Sequence, residues 1–225
     1  MCHGFNDMAK KKEITRIDII SAYMQFTLEN GKQPDSVFAF AKHISITESE
    51  FYNFFGSFEK VERSIFKAFF DNTIELLNKN EAYKDFDAKS KLISFYYTFF
   101  ELLKANRSYV VFALNKGKHR LNVLNTLSEL KKSFTAFVQD LGIETIDLKQ
   151  EKLEKAKNKG LLEWSWAQLL FILKFWLEDG SANFEKTDVL IEKSITTGFA
   201  LLDTATLNSV FDLGKFLFKE KVMSN

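Results

Sequence analysis

The residues of this chain that could do chemistry do not assemble into a catalytic or metal-binding set. His3, His43 and His119 lie far apart and carry no carboxylate or thiol at ligand spacing, so no metal site is expected. Cys2 is the only cysteine, which excludes an intramolecular disulfide and suits a reducing, cytoplasmic setting. No nucleophile stands beside a base and an orienting group, and no glycine-rich phosphate loop occurs. The paired acids Glu178-Asp179 fall at a helix end, where exposure explains them. Neither an enzyme nor a cofactor is expected. The chain is rich instead in rings, with 25 Phe among 225 residues. Such a supply suits a cavity or groove lined by aromatic side chains. The candidates for lining it are Tyr96, Phe100, Tyr109, Phe112, Trp164, Phe171 and Phe175. They belong to a wider set, with Tyr97, Phe99, Trp166 and Trp176, that would serve equally as ordinary core.

The elements that must position these rings are helices. One Pro and nine Gly leave few helix breakers, and sustained β-branched alternation is scarce, so the composition points to an all-α protein. A chain of 225 residues can form one large helical domain, or a small head and a larger body, without covalent staples. A net charge of +1 gives no bulk attraction to nucleic acid, so any such contact must come from a local patch. The most apolar segment, 161–177, is interrupted by Glu163, Gln168 and Lys174. It falls short of the ~20 apolar residues that a spanning helix needs and reads as a buried core or interface helix. Residues 1–7 lack the pattern of a signal peptide, and Met8-Ala9-Lys10-Lys11-Lys12 reads as well as a translation start as Met1 does.

Apolar spacing at i, i+3 and i+4 predicts a first helix over 13–28, with Ile17, Ile20, Tyr23, Met24 and Phe26 facing inward and Asn30-Gly31 as a left-handed cap. Pro34 is expected to open a second helix, 36–43, in its first turn. Ser45 makes the turn. Thr47 then caps a short third helix to about Phe54, with Glu50 at the spacing of a capping box. Gly56-Ser57 closes it, and a long fourth helix runs to about Asn78 through Val61, Ile65, Phe69 and Leu76. The organisation expected is a flexible arm over 1–12, a three-helix head over 13–57 and a helical body over 58–225. Body helices are expected at 86–104, 107–115, 118–141, 148–158, 161–178, 184–203 and 206–222. In the third of these, Val123, Leu127, Leu130, Phe134, Phe137 and Leu141 alternate spacings of four and three, the pattern of a helix packed along its whole length. The polar, Lys-rich piece 148–160 reads as a mobile loop or exposed helix.

The run Ala41-Lys42-His43-Ile44-Ser45-Ile46-Thr47, with Phe51-Tyr52, Phe55-Gly56-Ser57 and Glu59-Lys60-Val61, resembles the head of the tetracycline-repressor (TetR) family over about residues 14–66. That family's pattern runs Ala-Lys-x-Ala-Gly-Val-Ser, Leu-Tyr, Phe-x-Ser-Lys-Glu-x-Leu. The resemblance implies a ligand-responsive transcription regulator, a homodimer that sets the third helix of each subunit into successive major grooves of DNA. It further implies a four-helix interface from the segments at about 161–178 and 184–203, and a body pocket for a hydrophobic small molecule. Carried over by position, Thr47 and Tyr52 match residues that contact phosphates, Lys42 and Lys60 stand close enough to assist, and Ser49 and Asn53 complete the DNA-binding set. The chain departs from the pattern at Ser45 for Gly, Phe54 for His and Phe58 for Lys. Effector binding is expected to favour a body conformation in which the two recognition helices no longer match the half-site spacing.

Charge runs against that expectation. Residues 1–63 hold eight Lys and Arg (Lys10, Lys11, Lys12, Arg16, Lys32, Lys42, Lys60, Arg63) against nine Asp and Glu (Asp7, Glu13, Asp18, Glu29, Asp35, Glu48, Glu50, Glu59, Glu62), and only Lys10 to Lys12 are clustered. Glu48 and Glu50 stand where a phosphate backbone would approach, although a carboxylate in that place can accept from cytosine. A fainter resemblance lies in Trp176-Leu177-Glu178-Asp179-Gly180-Ser181, Thr187-Asp188-Val189-Leu190-Ile191 and Ile195. These are similar to a segment of the TetR-fold lipid-binding accessory protein of ubiquinone biosynthesis, which implies, as an alternative, lipid binding in place of DNA binding. Segment 206–222 sets Leu207, Val210, Phe211, Gly214, Leu217, Phe218 and Val222 opposite Asn208, Asp212, Lys215, Lys219 and Glu220. Such an amphipathic helix packs on the body or a dimer partner, or makes weak contact with a membrane or a partner enzyme.

Overall fold

The computed structural model describes residues 13–115, 120–143 and 151–202, and every regular element among them is helical. The chain divides into two compact units, Met1–Ile65 and Phe66–Asn225. The fold class is therefore all-α, as composition indicated.

In the first unit α1 (Arg16–Asn30) begins at a capping box: Asp18 N donates to Thr15 Oγ1 at 3.2 Å and Thr15 N donates to Asp18 Oδ2 at 2.9 Å. The helix therefore starts later than the apolar spacing alone suggested. It closes on Gly31 at φ 65°, a left-handed conformation that costs glycine little. Its inward stripe is Ile19, Ile20, Tyr23 and Thr27, whereas Ile17 is exposed, a rotation of the face expected from spacing. Thr27 tolerates burial because its hydroxyl donates to Met24 O at 2.8 Å.

Helix α2 (Val37–His43) is capped by Ser36, whose Oγ accepts from Ala39 N at 3.1 Å. Pro34 consequently lies outside the helix, not in its first turn. The exit is a Schellman motif, with Ile46 N donating to Ala41 O at 2.9 Å and Ser45 N to Lys42 O at 3.2 Å, and Ser45 in the left-handed region at φ 60°. Helix α3 (Glu48–Tyr52) follows from the Thr47 cap and is shorter than expected, ending before Asn53. A ring cluster holds these helices together. Phe58 lies 5.5 Å from Tyr23 and 5.7 Å from each of Phe40 and Phe51, centroid to centroid. The family's Lys position is thus filled here by a core ring.

Helix α4 (Phe58–Asn78) carries Val61, Ser64 and Ile65 buried within the first unit, which continues about two turns beyond residue 57. The second unit comprises the rest of α4, a 3-10 turn at Glu81–Asp85, α5 (Ala88–Ala105), α6 (Arg107–Asn115), α7 (Arg120–Thr126), α8 (Ser128–Asp140), α9 (Glu151–Glu178) and α10 (Glu185–Leu202). The single helix expected over 118–141 is divided at buried Leu127. Conversely, the helices expected at 148–158 and 161–178 are one, because α9 runs through Gly160. An interior glycine costs only about 1 kcal/mol, which a 28-residue helix with a packed face absorbs. Helix α5 packs on α10, α8 on α9, and α9 on α10. The arm 1–12 and segment 206–222 lie outside the described residues.

Candidate functional site

Lys42, Thr47, Ser49, Tyr52, Asn53 and Lys60 are all exposed and all belong to the first unit. Ser49, Tyr52 and Asn53 repeat at i, i+3 and i+4, so they share one face at α3, while Phe51 is buried on the other. Tyr52 is 52 % exposed although it is aromatic.

Thr47 is differently placed. Its backbone N–H donates to Glu50 Oε2 at 2.6 Å and its hydroxyl to the same oxygen at 2.9 Å, while Glu50 N donates back to Thr47 Oγ1 at 3.1 Å. Both donors of Thr47 are therefore engaged by a carboxylate, and a phosphate arriving there must displace it. Arg16 is similarly occupied, donating to Phe54 O at 3.2 Å and Ser64 Oγ at 2.6 Å with its guanidinium 4.3 Å over the Phe55 ring. Lys32 pairs with Asp35 at 2.8 Å. No hydrogen bond or ion pair engages Lys42 or Lys60 among the described residues. Beside the start of α1 and the α2–α3 turn lies a groove of about 450 Å³, where Glu13, Asp18 and Glu50 meet Ile14, Ile46 and Phe54.

The seven candidate ligand residues of the second unit fall in three places. Tyr96 and Phe100 are buried and stacked, 6.3 Å apart at 8°. Tyr109 is buried and Phe112 half-buried, 6.5 Å apart. Trp164 and Phe171 are 44 % and 57 % exposed on α9, the same helix that carries half-buried Phe175. The structure brings to the first pair two rings outside the candidate set: Phe95, and Phe134, which the sequence marked only as a packing position, at 5.9 and 6.1 Å from Tyr96. A signal was available for Phe95, because a ring pair recurs at 95–96 and 99–100, four residues apart. The Tyr96 hydroxyl is buried and has no hydrogen-bond partner among the described residues, and desolvation raises its pKa far above the usual phenol value.

Trp164 and Phe171 instead border a shallow groove of about 500 Å³ along α9 and α10, with Gln168, Leu190, Gly198 and Leu201. Trp164 lies against Gly198 so closely that a Cβ there would stand 2.6 Å from the indole Cη2. The end of α9 is fixed by Arg107, which donates to Trp176 O and Leu177 O at 3.1 Å each. Its guanidinium lies 4.4 Å from the Trp176 ring and 4.5 Å from that of Phe184. Asp179 ties the junction to α10. Desolvation pushes its pKa up, but hydrogen bonds from Ser181 and Thr187, side chain and backbone of each, outweigh it and hold the carboxyl at about 2.

Among the described residues no group of three or more His, Cys, Asp or Glu could hold a metal ion, and no helix is long and apolar enough to cross a membrane. A family profile described as the tetracyclin repressor-like C-terminal domain matches residues 91–217, more than half of the chain. No curated protein matches it.

Proposed function

Since the chain belongs to the tetracycline-repressor-like family, we propose that it is a ligand-responsive transcription regulator, working in the cytoplasm as a homodimer. Its head contacts DNA through α3, and its body takes a hydrophobic effector. The observation that carries the DNA reading is the pair α2 and α3, joined by a Schellman turn and presenting Ser49, Tyr52 and Asn53 on the face opposite the core. Lys42 and Lys60 add the cations that a phosphate contact needs. Two heads reading two half-sites require a dimer. The apolar groove of α9 and α10, with Trp164, Phe171 and Leu201 all exposed, supports that face as the seam between two copies. This reading assigns Trp164 and Phe171 to the interface and leaves Tyr96 and Phe100, with Tyr109 and Phe112, as the candidates for the effector. Replacing Tyr52→Ala together with Lys60→Ala is expected to weaken binding to the DNA upstream of the chain's own coding region at least about tenfold. Unchanged affinity in a gel-shift titration would remove α3 and the start of α4 from the DNA contact.

A further inference from the structure

Tyr96 presents a problem that the packing does not resolve. Its ring is wholly buried, with Phe100 stacked on it and Phe95 and Phe134 set edge-on, so phenylalanine would satisfy every ring contact. Yet this position carries a hydroxyl, and among the described residues that hydroxyl has no partner. A buried donor left unpaired is costly and uncommon in native proteins. In a chain with 25 Phe it is also easily avoided.

Resting on the reading of the body as an effector site, we infer that the Tyr96 hydroxyl is the polar anchor of that site, donating a hydrogen bond to an apolar ligand with one uncharged acceptor oxygen, a ketone or ether. The three ring neighbours offer neither a second donor nor a positive charge, so a carboxylate would be buried without compensation, whereas a neutral oxygen needs only one donor. Burial keeps the phenol protonated, and therefore a donor, throughout the range in which the protein works. The rings close on one another, so a ligand that reaches Tyr96 parts α5 from Phe134 of α8. The neighbouring indoles report it: Trp166 lies 6.4 Å from Phe134 and Trp176 5.9 Å from Phe100.

Matched probes that differ in one oxygen, 1-tetralone with tetralin and 2-octanone with octane, test this on the full chain by tryptophan fluorescence titration. Wild-type protein is expected to bind each ketone about tenfold more tightly than its hydrocarbon. Tyr96→Phe is expected to bind the hydrocarbons as before and to lose the preference. The same variant without ligand is expected to melt about 2–4 °C higher, because the unpaired hydroxyl is gone. Equal binding of ketone and hydrocarbon by wild type, or a preference that survives in Tyr96→Phe, overturns the inference while leaving the body as an apolar site. Binding of no probe by either protein overturns the effector-site reading and the inference with it.

Discussion

At Ser45 the chain places a side chain where its family's pattern has glycine, and the backbone there stands at φ 60°. The Schellman turn requires that conformation, so the strain is built into the junction between α2 and α3. Ser45→Gly should therefore stabilise the protein by about 1 kcal/mol, seen as a rise in the thermal midpoint; a fall would show that the Ser45 side chain contributes more than its backbone costs. Glu50 is a second such position. Glu50→Gln keeps the capping-box geometry and removes the charge that occupies both donors of Thr47. DNA affinity should rise roughly fivefold or more, on the order of 1 kcal/mol per head for a nearby surface charge, with little change in melting. Asp179 titrates in the other unit. Its folded pKa, about 2, lies below the ordinary 3.8, so the stability it contributes is present above pH 4 and is lost as pH falls from about 4 toward 2. Asp179→Asn should flatten that part of the acid-denaturation curve, and an unchanged curve would place the acid sensitivity elsewhere. Sequence spacing revealed the Thr47–Glu50 box but not its consequence, because whether a carboxylate folds back onto its own cap depends on side-chain geometry.

At the scale of elements, the helices most legible in the sequence are those with strong punctuation. The Gly31 cap falls where the local signal put it, whereas α3 ends at Tyr52, short of the expected Phe54, and the start of α1 is set by Thr15 and Asp18, a box hidden beside apolar Ile14. Gly160 and Leu127 show the opposite failure. A glycine does not break α9, because an interior glycine costs only about 1 kcal/mol, and an unbroken apolar repeat does not prevent the division at Leu127. Which side of a helix faces inward is harder still. Trp164 and Trp166 differ by two residues and stand on different faces of α9, one exposed and one buried, and aromatic composition cannot separate them. That difference carries the prediction for this scale. Phe171→Glu, on the exposed side, should convert the proposed dimer to a monomer at micromolar concentration without loss of helicity, measured by analytical ultracentrifugation and circular dichroism. A variant that remains dimeric would exclude the α9–α10 face as the seam.

For the whole molecule, two kinds of information meet unequally. The family match covers the part of the chain to which the proposed effector and dimer surfaces belong, while the DNA reading depends on the head, whose described residues 13–65 contain five Lys and Arg (Arg16, Lys32, Lys42, Lys60, Arg63) against eight Asp and Glu (Glu13, Asp18, Glu29, Asp35, Glu48, Glu50, Glu59, Glu62). On the proposed reading, such a head binds DNA through few phosphates and relies on the α3 face more than on bulk charge. The account is tested most directly by fluorescence anisotropy of the full chain with DNA from upstream of its own coding region, across a salt series. If Lys42 and Lys60 of two heads carry the phosphate contacts, log affinity should fall against log salt with a slope of about −3 to −4. An absence of binding even at low salt would contradict the central claim that this protein acts on DNA.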